Sequence, residues 1–600
     1  MTPAFRYALL WLAGSLLMVV AALSMLSGSY AGGEFGPSNG DAFYHAARIL
    51  DSLFSGEPVI QFDPKIHAPE GSWLVWPWGY DTLMTQITRM FGPFANEAAA
   101  NRVLMNIPPA TAPIAVALVV VIARQLSLSF FYAALLVLGF AGLPLAFIAF
   151  SVGNIDHHFA ELLWTLALVS TGIVFFRATS AGYGAGIGLG CVLGSALAIH
   201  NSLFILQLPV VAALGFCWLR GSALPHLRQV IAFAASLLLV TLLVCVPSLP
   251  WQRGFFEFYT LSWFHLYIAV CVAVFSVALA LIARSPRNIV LIAVAALLAL
   301  LPILNTFRLA GEFVSGDLAI IRNITEARSP YELYQQFGPQ MSTQFFSWLL
   351  WLSGPMALLN LWWVFRFKEP GLKFTAIVGV LGLTLMQAQY RFAVFGELSM
   401  ILTPVLAASL LSDWRPQLRR VAMGGCLVLF AVASYPTWLN WRTYWVLGAS
   451  DAYLNVRSTF PVLKRDCAER PGIVVADVDA GHWIRYHSGC SVIANVFLLT
   501  PQHTAKVLEL ERLMSLSPAQ LLADRIPVRY VFAHHSLAVQ LDEEHNETPK
   551  LEELRPLLMP LEGALLGPES ALPPQFKKRW EVTTPAGQIY ARLYEIERTE

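Results

Sequence analysis

The sequence predicts a polytopic all-α membrane protein with a small exported C-terminal α/β domain, and three observations carry that reading. Of its 600 residues, 56% are hydrophobic and only 13% charged, with a mean hydropathy of +0.59, whereas a soluble domain carries roughly 25% charged residues. Apolar runs close to the ~20 residues that cross a bilayer recur about thirteen times before residue 440. Beyond it the chain is less apolar and contains short strand-like runs. A net charge of +1 with dispersed basic residues excludes nucleic acid as a partner.

The runs fall near 7–28, 106–123, 129–150, 158–176, 183–199, 203–219, 229–249, 261–283, 288–307, 343–365, 373–388, 393–411 and 420–437. The first follows Arg6 in the manner of a signal peptide, but its apolar core is too long and further spans follow, so it is expected to be retained. Orientation is read from Lys and Arg in short loops. With the N-terminus inside, the cytoplasmic loops hold Arg6, Arg124, Arg177, Arg220 with Arg228, Arg284 with Arg287, Arg366 with Lys368 and Lys373, and Arg415 with Arg419 and Arg420. Every odd junction is basic, which sends the tail to the outer face of what is expected to be a bacterial inner membrane. Trp438, Trp441 and Trp445 then stand where an interfacial aromatic belt is expected.

The expected division is a membrane domain, 1–440, with large outer loops at 31–105 and 308–342, followed by an exported domain, 441–600. In the tail, "GIVVADVD" (472–479), "CSVIANVFLL" (490–499), "VRYVFAHH" (528–535) and "QIYARLYEI" (588–596) read as strands, and 502–515 reads as a helix. Seven cysteines are present, five of them in predicted helices as small apolar packers. Cys467 and Cys490 lie in the tail, where a disulfide is one of two open alternatives.

Polar groups gather at the predicted outer face. Asp41 lies in "SNGDAFYHAARIL", Asp156 and His158 in "SVGNIDHHFAELL" and Glu326 in "IRNITEARSP". Three segments remote in sequence each present a carboxylate at one surface, as an oxygen-rich divalent-metal site requires. Taken singly, Asp41 and Asp156 also read as helix N-caps, and Glu326, between Arg322 and Arg328, as a solvated loop charge. In an extended turn Asp156 and His158 point the same way, with His157 pointing elsewhere and left out of the metal shell.

In this pattern the chain resembles the catalytic subunits of oligosaccharyltransferases, membrane enzymes of the GT-C glycosyltransferase fold with thirteen transmembrane helices and an exported C-terminal domain. The resemblance rests on "GDAFYHAARIL" (40–50), "HAPEGSWLVWPWGYD" (67–81), "GNIDHHFAELL" (153–163), "NITE" (323–326) and "QYRF" (389–392). It implies that Asp41, Asp156, His158 and Glu326 hold a divalent cation, Mn²⁺ or Mg²⁺ with Zn²⁺ as a competitor, and that Arg391 meets the donor phosphate. It also implies a lipid-linked saccharide donor. One motif departs: where the family carries W-W-D-Y-G for the sequon, this chain reads "VADVDAGHWIRYHSGCSVIAN" (475–495), without paired tryptophans. Asp477 and Asp479 are the remaining candidates on the acceptor side.

The expected function is therefore metal-dependent transfer of a sugar or oligosaccharide from a polyprenyl (pyro)phosphate to a protein, lipid or polysaccharide acceptor at the outer face. Two rivals stand beside it. One is a GT-C enzyme using a polyprenyl-monophosphate sugar. The other is a flippase for lipid-linked saccharides, which would place ionisable groups near the bilayer midplane, where these helices are almost free of charge.

Overall fold

The computed structural model describes residues 2–24, 29–31, 33–309, 328–336, 338, 347–447, 452–497, 500–535, 558–584 and 587–598, with side chains in the 436–447 stretch excepted. Glu326, most of the 308–342 loop and the side chains of Trp438, Trp441 and Trp445 lie outside the described residues. The chain divides into two compact units: 1–25, 76–80 and 106–444 form one, and 26–75, 81–105 and 445–600 form the other.

In the first unit the described part of every apolar run becomes helix, and this is a multi-pass membrane protein. Among the described residues eleven helices are long and apolar enough to cross a bilayer, and two shorter apolar ones, Phe130–Ala141 and Gly184–Ile199, complete the expected set. The run at 129–150 is broken: it stops at Gly142 and restarts at Pro144–Ala149 with proline in the first turn, where its missing N–H costs nothing. Helix Pro286–Leu309 leaves Val290, Leu291, Leu297 and Leu301 more than half exposed, an apolar surface suited to lipid.

Close helix contact comes from glycine. Gly186, Gly190 and Gly194 repeat every fourth residue along one face of Gly184–Ile199, which packs on Leu227–Cys245. A Cβ on Gly190 would lie 2.6 Å from the Phe233 carbonyl oxygen, and one on Gly194 would lie 2.8 Å from Val240 Cβ. Small residues at this spacing let backbones approach where no hydrophobic force drives helices together.

The second unit contains a five-stranded sheet. Its strands are β1 (Ile473–Val475), β2 (Ser491–Val492), β3 (Val528–His534), β4 (Phe576–Thr583) and β5 (Ile589–Ile596), in the order β2-β1-β3-β5-β4. The pairs of β1 with β2 and β3 are parallel, and those of β5 with β3 and β4 are antiparallel. The expected helix appears as Pro501–Met514. Cys467 and Cys490 form a disulfide.

Residues 26–75 and 81–105 belong to this unit, and buried charges bind them to the tail. Arg485, on helix Ala480–His487, donates through Nε to Asp63 Oδ2 and through a terminal nitrogen to Asp51 Oδ2, both at 2.8 Å. The Tyr44 hydroxyl donates to the same Asp63 oxygen at 2.7 Å. Burial would raise the Asp63 carboxyl, but Arg485 and these hydrogen bonds hold it below the usual range. Lys506 Nζ reaches the Ala68 carbonyl at 3.0 Å and Glu70 at 2.5 Å, and the imidazoles of His67 and His503 lie 4.6 Å apart. Burial pushes His67 down to about 4, so it is neutral at physiological pH.

Candidate functional site

The turn 151–157 prepares the polar cluster of the membrane unit. Gly153 takes φ +78°, a left-handed conformation that favours glycine. The Tyr80 hydroxyl donates to the Ile155 carbonyl at 2.6 Å, and Asn154 Nδ2 donates to the Ile148 carbonyl at 2.9 Å. Helix His158–Arg177 then begins with no side-chain cap at its N-terminus, so Asp156 stands just before the helix and is not its N-cap.

Asp156 and His158 are brought together: His158 Nε2 lies 3.3 Å from Asp156 Oδ2. The other carboxylate oxygen, Oδ1, accepts the His157 backbone N–H at 2.7 Å. The expectation for His157 is corrected. Its Nδ1 lies 2.7 Å from Asp156 Oδ1, because His158 is already helical and the i, i+2 geometry of an extended turn does not apply.

Two further residues complete the cluster and were not anticipated. Glu161 is one turn into the helix, 4% exposed, with Oε2 2.9 Å from His158 Nδ1 and Oε1 2.9 Å from His200 Nδ1. His200 stacks on His157 with ring centroids 4.2 Å apart. Helical spacing was the available signal for Glu161, which stands at i+3 and i+4 from the two histidines. His200 follows an apolar helix and had none.

Ligand atoms of His157, His158 and Glu161 lie within 4.8 Å of one another, a grouping able to hold a metal ion. The Asp156 and His158 pair fits a divalent cation as well. Bonds of about 2.1 Å put neighbouring ligand atoms about 3.0–3.4 Å apart, and the 3.3 Å between Oδ2 and Nε2 falls in that interval.

Arg391 lies in the short 3₁₀ turn Tyr390–Phe392 at the start of helix Ala393–Trp414. Its Nε is buried and, among the described residues, has no hydrogen-bond partner. A guanidinium left in this state favours an incoming anion.

The remaining predicted residues are in the second unit. Asp41 occupies the first turn of helix Gly40–Ser55, but Asn39 is the cap, accepting the Ala42 N–H at 2.8 Å. The Asp41 carboxylate lies 3.5 Å from Nε2 of the fully buried His482. Asp477 accepts the Ala480 N–H at 2.9 Å and pairs with His534 Nε2 at 2.8 Å. Burial alone would lower His534, but the Asp477 charge outweighs it and holds the imidazole up at about 9. Asp479 is exposed at the start of helix Ala480–His487 and makes no side-chain cap bond. Trp483, within the departed motif, is buried against Phe460 and His534.

No protein-family model matches the chain, and no curated protein matches it. Solved structures do. Archaeal oligosaccharyltransferase AglB from Archaeoglobus fulgidus, in complex with an inhibitory peptide and a dolichol-phosphate, matches with a TM-score of 0.70 at 15% identity, over 89% of this chain and 70% of that one. The chain has the GT-C fold of oligosaccharyltransferases. The same archaeal enzyme tethered to an acceptor peptide containing the NVT sequon matches with a TM-score of 0.71 at 15% identity, over 99% of this chain and 74% of that one. Its complex with Zn and sulfate gives 0.65 at 14% identity, over 98% and 73%. At these identities the likeness is one of fold, so the chemistry of this chain is argued from its own side chains.

Proposed function

We propose that this protein is a metal-dependent glycosyltransferase that takes a sugar or oligosaccharide from a polyprenyl-linked phosphate donor at the outer face of a bacterial inner membrane. The observation that carries the proposal is the pairing of the buried Asp156 with the partly exposed His158, carboxylate oxygen beside imidazole nitrogen, in a GT-C fold whose archaeal counterparts were solved with dolichol-phosphate and with zinc. The sequence resemblance assigns Asp41 and Glu326 to the same ion. A divalent cation held by this set supplies positive charge against the phosphate oxygens of the leaving group. Mn²⁺ or Mg²⁺ suits a carboxylate-rich set, and the imidazole lets Zn²⁺ compete.

Arg391 is assigned the donor phosphate: its buried Nε, without a partner among the described residues, adds a charge-assisted hydrogen bond as negative charge develops on the departing lipid phosphate. On the acceptor side, Trp483 is committed to packing within the tail, and Arg485 to ion pairs with Asp51 and Asp63 of the first outer segment. That favours an acceptor other than a sequon peptide, a lipid or growing polysaccharide among them.

The test is transfer of label from a polyprenyl-linked saccharide by the purified full chain, offered a sequon peptide and a membrane lipid extract in parallel. Expected are label on an acceptor, its loss with EDTA, its return with Mn²⁺, and a loss of at least about 100-fold in Asp156→Asn and Arg391→Ala. Transfer unaffected by EDTA and by Asp156→Asn would overturn the metal-dependent reading.

A further inference from the structure

We infer that Glu161 is a positioning residue that fixes the ring orientation and tautomer of His158 and so prepares its Nε2 to bind the divalent cation. The inference rests on the metal reading above and adds a residue to it. A carboxylate accepts hydrogen bonds and donates none. The 2.9 Å contact of Glu161 Oε2 with His158 Nδ1 therefore places the imidazole proton on Nδ1. In the neutral ring the lone pair is then on Nε2, the atom 3.3 Å from Asp156 Oδ2. A histidine bound to metal through one nitrogen while the other donates to a carboxylate is a recurrent arrangement that orients the ring and raises its basicity.

Glu161 stands behind the ligand shell because both of its oxygens are engaged. Oε2 holds His158, and Oε1 holds His200 Nδ1 at 2.9 Å. His200 is itself steadied by its stack on His157. The carboxylate is thus clamped between two imidazoles, and burial at 4% exposure keeps water from replacing either partner. The Thr165 hydroxyl donates to the Glu161 backbone carbonyl at 2.9 Å, within the same helical turn.

The test is Mn²⁺ binding to the purified full chain in detergent, followed by electron paramagnetic resonance, for the wild type, Glu161→Ala, Glu161→Gln, His158→Ala and the double variant Glu161→Ala/His158→Ala. The spectrum of bound Co²⁺ serves as a second readout. Glu161→Ala is expected to weaken Mn²⁺ binding about 10- to 100-fold. Glu161→Gln keeps a carbonyl acceptor for the Nδ1 proton and is expected to recover most of that loss. The double variant is expected to bind no more weakly than His158→Ala, because Glu161 acts through that ring. Glu161→Ala binding as wild type, Glu161→Gln as weak as Glu161→Ala, or losses that add in the double variant would each overturn the inference while leaving the metal reading in place. Wild-type protein that binds neither Mn²⁺ nor Co²⁺ would overturn both. Melting temperatures without metal separate a folding defect in Glu161→Ala, and in that case the Glu161→Gln comparison decides.

Discussion

Arg485→Met tests how the second unit is held together, because it removes one cation and leaves the rest of the side-chain volume. Two ion pairs disappear, and they are unequal. The Asp51 side chain is 53% exposed, so its share is under about 1 kcal/mol. Asp63 is 1% exposed, and stripping a buried charge of its partner costs about 3–5 kcal/mol. Asp63 keeps the Tyr44 hydroxyl at 2.7 Å and the Lys65 N–H at 2.9 Å, which argues for the lower end, about 3 kcal/mol, or roughly a 100-fold change in an opening equilibrium. The assay is hydrogen exchange of the full chain in detergent, read by mass spectrometry on the amides of Gly40–Ser55 and Ala480–His487. Arg485→Met should speed exchange in both helices together by about 100-fold, Asp51→Asn by less than about tenfold, and Asp63→Asn should restore part of the loss in the Arg485→Met background. An effect below tenfold for Arg485→Met, or one confined to the tail helix, would refute the reasoning.

Two more outcomes follow from contacts described above. Gly190→Val forces a Cβ within 2.6 Å of the Phe233 carbonyl and 2.8 Å of the Leu237 nitrogen, backbone atoms that cannot step aside; a loss of about 1–3 kcal/mol is expected, visible as a lower melting temperature, while Gly188→Val, which meets nothing within 4 Å, should melt as wild type. The pair of Asp477 and His534 predicts a pH window. His534 is raised to about 9 in the folded protein, so its contribution is complete below about pH 6.5 and is lost as pH rises through about 9, and Asp477, held below its ordinary value, loses its contribution as pH falls through that depressed value. Between pH 7 and 10 the wild type should lose exchange protection around β1 and β3 while His534→Asn stays flat, and identical profiles would count against the buried pair.

The membrane fold was legible because lipid enforces one rule: an apolar stretch must close its backbone hydrogen bonds within itself. Helix breaks were less visible, as the restart at Pro144 shows. The strand Phe576–Thr583 escaped because "FKKRWEVT" spends its charges on an exposed edge face, leaving little apolar signal. At the site, Asp156 and His158 were found by motif, and their side chains approach each other without the extended turn expected there. His157 was misplaced by assuming extended backbone at a residue that precedes a helix directly. The neighbourhoods of Asp41 and Asp477 depend on His482 and His534, partners far away in sequence that no local pattern announces. The glycine stripe at 186, 190 and 194 was present in the sequence as plain spacing.

The shared core of residues 26–105 and 445–600 bears on how the protein is made. A ribosome produces the first segment early and its packing partners only after the spans, so Asp63 waits through the synthesis of nearly all of them. Asp81 finds Arg48 and His45 nearby, at 2.5 and 2.6 Å, but the cation for Asp63 arrives only with Arg485. Packing of this unit is therefore completed only after the spans have been synthesised. A nascent chain halted after the last span would carry an open, acidic, aromatic-lined surface in place of a finished one, a natural target for chaperones and quality-control proteases.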